Sequence, residues 1–382
     1  MEPICSLHLN TARSWRGGER QTLLLLEGLR REGHAASVVC PPGSPLAKRA
    51  DASGIPVHEI PLRGELDLSS AMKLRRLIRQ LKPQILQLHT AHAHSTGLLS
   101  RLGLGTRPAV IVQRRVDFSI HRSGTPGLTR LKYQVGVDRY IAISHKISEV
   151  LQSDDIDPQR IRVVHSGVPP LPEPTRSAEE LRNNWQLGTE APLLGTVGAL
   201  TGHKGHCHLI EAMALLRPRD PAAQLVLIGE GEEAQTLDDV AAQQGVADRV
   251  HRIGFEEDVS SWLHALDLFI HPSLDEGLGT SILDALGAGR TVIASAVGGI
   301  PEVIEDGVTG RLVAAADPRQ LAEVIDELLD DPAAAADLAT AGQQLQKHKF
   351  SADAMVRGNI EVHQELLDEL QAGESIDEDV TR

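Results

Sequence analysis

The sequence predicts an α/β protein made of two doubly wound, parallel-sheet domains in tandem. Three observations carry that expectation. Short apolar runs alternate with amphipathic helical stretches from the first residues onward, the βα order that gives a parallel sheet covered on both faces. A proline-rich break, PPLPEPTR at 169–176, interrupts the alternation. Beyond it the same pattern starts afresh. With 382 residues, the chain also exceeds what one core comfortably serves.

The elements follow in order. ICSLHL (4–9) reads as a buried strand, followed by a Gly-containing loop and a helix from about Glu19 to Arg31. ASVVC (36–40), VHEI (57–60), ILQL (85–88), AVIVQ (109–113), RYIAIS (139–144) and RIRVVHS (160–166) continue as strands, with helices between most of them. After the break, LLGTVGAL (193–200), QLVLIGEG (224–231), RVHRIG (249–254), LDLFIHPS (266–273) and TVIASAVGG (291–299) read as strands. Helices are expected to start near Lys204, Glu232, Glu257, Gly279 and Asp317, and a helical, Ala-rich tail from about Pro332 turns acidic and frayed in ESIDEDV. The expected division is a first domain at 1–168, a linker at 169–190, a second domain at 191–350, and a C-terminal helix with an acidic tail at 351–382. Two such sheets in tandem imply a cleft between their carboxyl edges, where α/β proteins bind ligands.

Composition narrows the class. Aromatics make up only 2 %, so the core must come from Leu, Ile, Val and Ala. Cys5, Cys40 and Cys207 are few, odd in number and far apart, which argues against a disulfide framework or a zinc site and fits a reducing cytoplasm. No basic-then-apolar leader is evident at the start, and no apolar run approaches the ~18 residues that span a bilayer. The chain therefore reads as soluble. Its net charge of −14 conceals an asymmetry: residues 1–168 hold 24 Lys+Arg against 14 Asp+Glu, whereas 169–382 hold 14 against 38. Such a split suggests halves with different electrostatic tasks, although an acidic half that is merely well solvated explains it too.

One stretch concentrates the chemistry: HPSLDEGLGTSILDALGAGRTVIAS, 271–295. A strand ending near Pro272 delivers a loop, and a helix begins near Gly279. Its first N–H groups lack partners and the helix dipole adds positive charge, so phosphate or sugar oxygens are suited to this end. Gly277 and Gly279 let a ligand approach the backbone. Glu276 precedes the helix and Asp284 lies inside it, too far apart for an acid/base pair but suited to two places on one elongated ligand. VGALTGHKGHCHLIEAM (197–213) is another strand, loop and helix, entered near Lys204. His203, His206 and His208 cluster beside it, but without a partnering Cys or Asp group they read as loop and helix surface. In the first half, Gly17-Gly18 precede a helix, HTAHAH (89–94) follows a strand end, and QRRVDF (113–118) follows the next.

These motifs, in this order, resemble the large family of retaining GT-B glycosyltransferases called family 4, or glycosyl transferases group 1. Pro272, Ser273, Glu276, Gly277, Gly279, Ala285, Gly289, Val292, Ile293 and Ala294 fall in register with its Glu-x7-Glu signature. Leu278, Asp284, Gly287 and Thr291 depart from it. The resemblance covers about residues 4 to 345. It implies two Rossmann-like domains and transfer of a sugar from a nucleoside diphosphate donor to an acceptor hydroxyl with retention of configuration. It further implies that Glu276 and the amides of Gly277, Leu278 and Gly279 hold the donor sugar, and that Asp284, one methylene shorter than the usual Glu, holds the ribose. Lys204 would neutralise the diphosphate. The family's partnering Arg falls at Ala199, so Arg114, Arg115 or Arg252 are candidates to replace it. Gly17, Gly18 and Gly299 would approach the donor. HSGVP (165–169) resembles the segment that enters the interdomain linker.

Arg115 stands where many relatives have a His, so that role does not carry over. Arg115 with Asp117 becomes a candidate for acceptor binding or proton acceptance, although Asp117 serves equally well as a loop cap. His89, His92, His94 and Arg114 are weaker acceptor-side candidates. No cofactor and no metal is expected, because Lys204 and helix N-termini supply the charge for the leaving diphosphate. The expected partners are a nucleotide sugar with UDP or GDP, a glycan or lipid-linked acceptor, and an anionic membrane surface met by MKLRRLIRQLK (72–82) with Arg101, Arg107, Arg122 and Arg130; no nucleic acid is expected. The expected location is the cytoplasm, peripheral at the inner membrane face, in envelope or other glycoconjugate synthesis. Two rival readings stay open: a nucleotide-sugar epimerase of the same architecture, and a non-catalytic nucleotide-sugar-binding protein. Donor consumption that depends on acceptor separates both from a transferase.

Overall fold

Seven short apolar segments of the first half pair side by side, all parallel. They are β1 (Cys5–Leu9), β2 (Ala35–Cys40), β3 (Val57–Glu59), β4 (Ile85–Leu88), β5 (Ala109–Arg114), β6 (Arg139–Ala142) and β7 (Ile161–Val163), in the order β3-β2-β1-β4-β5-β6-β7. The structure is a computed structural model and describes residues 2–64, 67–105, 107–120, 132–218 and 222–380, with side chains to residue 372. The helices of this half are α1 (Gly17–Arg31), α2 (Pro45–Ala52), α3 (Leu68–Leu81), α4 (Ala91–Arg101) and α5 (His145–Ser153). Central strands such as β4 and β5 are buried at every residue, as a sheet covered on both faces requires.

The second sheet has the order β10-β9-β8-β11-β12-β13. After α6 (Ala178–Trp185) come β8 (Leu193–Val197), α7 (His206–Leu215), β9 (Gln224–Ile228), α8 (Ala234–Gln243), β10 (Val250–Gly254) and α9 (Val259–Ala265). Then follow β11 (Leu268–His271), α10 (Thr280–Gly287), β12 (Thr291–Ser295), β13 (Arg311–Val313), α11 (Pro318–Asp330) and α12 (Pro332–Lys349). Again every pairing is parallel. Each sheet winds outward one way and then resumes on the other side, so its order reverses at one point. That point lies between β1 and β4 in the first sheet and between β8 and β11 in the second.

The chain divides into two compact units, Met1–Gly167 with Ala352–Arg382, and Val168–Ser351. The last helix, α13 (Ala352–Val380), thus packs in the first unit, against α1. Two glycines let it approach closely. A Cβ on Gly28 would meet Val356 Cγ2 at 2.2 Å, and one on Gly358 would meet Val164 Cγ1 at 2.8 Å. Asp353, Glu365 and Glu369 of α13 pair with Arg31, Arg162 and Arg139.

Residues 169–190, expected as a linker, carry their own structure within the second unit. Thr175 N and Arg176 N both donate to Ser261 Oγ at 2.9 and 3.0 Å, and Arg176 pairs with Glu256 at 2.7 Å. The short strand β13 and the helix α6 were not legible in the sequence: a three-residue strand shows no alternation, and α6 buries only Leu181. Among the described residues no helix is long and apolar enough to cross a membrane.

Candidate active site

In the second unit, the loops that leave β8 and β11 flank the reversal point of the sheet, and they are locked together through their backbones. Gly205 has φ +64°, and a Cβ there would lie 2.2 Å from Pro272 O. Leu274 N donates to His203 O at 2.8 Å. The β12 loop joins them, because Gly299 N donates to Glu276 O at 3.0 Å. The β9 loop is pressed against the β8 loop, where a Cβ on Gly231 would fall 2.1 Å from Leu200 O. Glycine is required at Gly205 for its left-handed backbone and at Gly231 for close approach.

This packing brings together residues 72 positions apart. Lys204 Nζ forms an ion pair with Glu276 Oε2, and His271 Nε2 donates to the same oxygen at 2.9 Å. Ser273 Oγ lies 3.0 Å from His271 Nε2, and Ser281 Oγ lies 3.4 Å from Nδ1. Burial alone would raise the Glu276 pKa, but the His271 hydrogen bond and the Lys204 charge outweigh it and hold the carboxyl far below the usual range. Burial pushes the His271 pKa down, so this imidazole is neutral. The result is a carboxylate held ionised beside a cation at the carboxyl edge of the sheet.

Helix α10 begins one residue after Gly279, which sits at φ +88° as its N-cap. Leu278, standing where the resembling pattern has Phe, is only 1 % exposed and anchors the loop by its side chain. Asp284 is buried in the second turn of α10. Arg252 does not serve this site: Asp238 on α8 holds its fork at 2.6 Å. The three clustered histidines diverge. His203 contacts Thr201 Oγ1 at 3.1 Å, His208 contacts Glu211 at 3.0 Å, and His206 is buried with its pKa lowered to about 3, chiefly by desolvation.

The first unit places a second group at its own reversal point. The loops after β1 and β4 are bridged by Thr11 Oγ1 and Thr90 Oγ1 at 2.6 Å. Gly17 and Gly18 open α1, and Glu19 Oε2 accepts from Arg16 N at 3.1 Å. His89 lies 6 % exposed at the end of β4, its Nε2 3.0 Å from His8 Nδ1 and its Nδ1 3.2 Å from Arg115 Nη1.

The other candidates of this half point elsewhere. His92 is exposed on α4, whereas His94 is wholly buried, edge-on to Tyr133 at a ring distance of 4.7 Å. Arg114 donates to Phe118 O and stacks over the Phe118 ring, and Asp117 acts on Arg114 through its charge. Arg122 and Arg130 lie outside the described residues. His271 and His8 carry no functional mark in the sequence, and Ser273 only its place in the resembling pattern: a polar residue in or beside a short buried strand shows no sign of what lies opposite it.

Residues 177–345 match the family described as Glycosyl transferases group 1, and residues 15–170 match Glycosyltransferase Family 4. The chain belongs to this glycosyltransferase family. The chain is 31 % identical over 303 residues to a D-inositol 3-phosphate glycosyltransferase of Salinispora arenicola, covering 73 % of this chain and 63 % of that protein. It is 27 % identical over 342 residues to a lipopolysaccharide core biosynthesis glycosyltransferase of Rhizobium meliloti, covering 89 % and 93 %. The chain spans about three fifths of the length of the two Salinispora relatives, 63 and 59 %. Its fold is the GT-B fold of solved glycosyltransferases. Anabaena Alr3699/HepE in complex with UDP and glucose superposes with a TM-score of 0.83 at 20 % identity, covering 95 % of this chain and 100 % of that one. A glycosyltransferase from Rickettsia africae superposes at 0.84 with 21 % identity, covering 96 and 99 %.

Proposed function

We propose that this glycosyltransferase moves a sugar from a nucleoside diphosphate donor to an acceptor hydroxyl with retention of anomeric configuration. The observation that carries the reading is the Lys204–Glu276–His271 group at the β8/β11 reversal point. An ionised carboxylate takes hydrogen bonds from sugar hydroxyls, and a cation beside it suits the diphosphate. Charge must be stabilised on the leaving diphosphate as the anomeric carbon becomes oxocarbenium-like. Lys204 and the amino end of α10 are assigned that task, which makes the reaction independent of a divalent metal; Gly17 and Gly18 keep their expected donor role within the first unit. Asp284 is assigned to the ribose, and Gly277, Leu278, Gly279 and Gly299 to the donor through their backbones. The complex of the Anabaena neighbour supports UDP as the nucleotide.

On the acceptor side the reading narrows to His89 and Arg115, which are in hydrogen-bond contact. The relative named for lipopolysaccharide core biosynthesis supports an envelope glycan or lipid-linked acceptor and a peripheral place at the inner membrane face. Incubation with UDP-, GDP- and ADP-sugars and a panel of acceptors tests the reading. Donor consumption should depend on acceptor, survive EDTA, and give a product with the anomeric configuration of the donor sugar by NMR. Donor conversion without acceptor would mean an epimerase, and binding without turnover a non-catalytic binder. A complete need for added Mg²⁺ or Mn²⁺ would overturn the metal-free assignment.

A further inference from the structure

Arg115 is a cation with too few partners. Its Nε atom is buried and makes no hydrogen bond, and its single hydrogen bond within the described residues goes from Nη1 to His89. A guanidinium carries five N–H donors, so most of its capacity is unused. Burial lowers its pKa to about 10, and Glu19 alone among the acids works against that shift. The Glu19 carboxylate is itself occupied in accepting from Arg16 N. A half-buried guanidinium whose buried Nε has no partner keeps donor capacity for a further group to complete.

The protein nevertheless builds a support for it. Arginine can only donate, so His89 Nδ1 is the acceptor of the 3.2 Å bond and its proton sits on Nε2. That proton is donated to His8 Nδ1 at 3.0 Å, which leaves the His8 proton on Nε2 for Ser6 Oγ, also at 3.0 Å. One tautomer set satisfies the whole run Arg115→His89→His8→Ser6, and both imidazoles are neutral, since burial drives their pKa values well down. A neutral prop orients the guanidinium without cancelling its charge. On its other side, Arg115 Cδ lies 3.8 Å from the point a Cβ on Gly18 would occupy, which sets it against the amino end of the fifteen-residue helix α1. Two independent sources of positive charge meet there, the helix end and the guanidinium.

We propose that Arg115 is a specificity-determining residue that binds a carboxylate or phosphate of the substrate, additional to the diphosphate of the donor. This rests on the glycosyl-transfer reading and names the chemical class that reading leaves open: either the transferred sugar or the acceptor is anionic. A planar fork with free donors is suited to a two-oxygen anion, which a neutral sugar hydroxyl matches neither in charge nor in geometry.

The test uses the full chain. In a Lys204→Ala background, where the diphosphate-binding cation is gone, inorganic phosphate should still raise the melting temperature, because it binds the native state. Adding Arg115→Gln should abolish that rise while leaving the ligand-free melting temperature equal or higher, since a half-buried cation whose Nε lacks a partner has been removed. Glu19→Gln, which keeps the shape and strips a competing negative charge, should tighten phosphate binding. Matched pairs then distinguish the source of the anion. UDP-glucuronic acid against UDP-glucose tests the donor, and glucose 6-phosphate against glucose tests the acceptor. For one pair, wild type should prefer the charged member by about tenfold or more, and Arg115→Gln should bring the ratio near one.

No phosphate response in the Lys204→Ala protein, or the same response after Arg115→Gln, overturns the proposal. So does an Arg115→Gln protein that weakens UDP itself as much as the charged ligands, because Arg115 would then serve the diphosphate. If Arg115→Gln fails to fold, Glu19→Gln decides: unchanged or weaker phosphate binding overturns the proposal. Loss of nucleotide binding in Lys204→Ala with no Arg115-dependent effect would leave glycosyl transfer standing and remove only the anion.

Discussion

Glu276 accepts from His271 and pairs with Lys204 through the single oxygen Oε2, and neither neighbour engages Oε1. Glu276→Gln keeps the shape and removes the charge, so the protein should fold and lose most of its transfer rate. Charge-assisted hydrogen bonds are about twice as strong as neutral ones, so the loss should be at least tenfold. Turnover above about half of wild type would remove Glu276 from the site. Lys204→Ala should weaken a nucleoside diphosphate far more than the free nucleoside by calorimetry, because the ammonium is assigned to phosphate and not to base. Equal losses would indicate a folding defect. Lys204, Glu276 and Gly279 were legible because each stands in a loop between a strand and a helix with glycines at fixed offsets. His271 was not, although it contacts Glu276. It sits inside a four-residue apolar strand, and only the folded register shows which carboxylate it faces.

At the scale of elements, α13 carries a buried polar network into the first unit. His363 Nε2 donates to Gln87 Oε1 at 2.8 Å, and Gln87 Nε2 donates to Gln113 and Asn359 at 2.9 and 3.1 Å. The sequence showed an amphipathic C-terminal helix but not which sheet it covers, since apolar periodicity does not name its partner. Nor could it show that His8 and His89, 81 positions apart, would touch. The network has a consequence for pH. Desolvation lowers His363 to about 3, and drives His8 and His89 below their ordinary value of 6.5. Between the folded and unfolded values, the unfolded chain binds more protons, so stability falls as pH drops below about 6.5. Each such histidine adds a slope of at most ~1.4 kcal/mol per pH unit. Urea midpoints should therefore decline steeply from pH 6.5 to 4, and His363→Gln should flatten the decline by about one proton. An unchanged slope would mean that His363 is not held neutral in the native state.

At the scale of the whole molecule, the charge asymmetry changes once the units are known. Because α13 belongs to the first unit, that unit holds 26 Lys+Arg against 23 Asp+Glu, a net +3, while the second holds 12 against 29, a net −17. The strongly basic half expected from residues 1–168 is thus largely offset by its own C-terminal helix. Among the described residues, the acids of α13 that form ion pairs engage Arg31, Arg139 and Arg162, however, and not α3. On α3, Leu74 and Ile78 are core, as the helical spacing implied, while Lys73, Arg76 and Arg79 remain exposed. Leu68 and Met72, 64 and 63 % exposed, add apolar surface at the start of the same helix. Arg101, counted with this patch from the sequence, is instead near Asp138 at 3.8 Å and donates to Gly136 O.

The exposed cations of α3, and not the unit's net charge, are thus the candidate source of membrane attraction. Near an anionic bilayer each Lys or Arg contributes roughly 1 kcal/mol, so three exposed cations with two apolar side chains would give weak, reversible binding. At ~1 M salt the Debye length is roughly 3 Å, and the charge-driven part should vanish. Co-sedimentation with phosphatidylserine-containing vesicles at low salt should exceed that with neutral vesicles, and Lys73→Gln/Arg76→Gln/Arg79→Gln should abolish the difference. Equal retention by both vesicle types would leave α3 as an ordinary solvated helix face and favour a soluble acceptor.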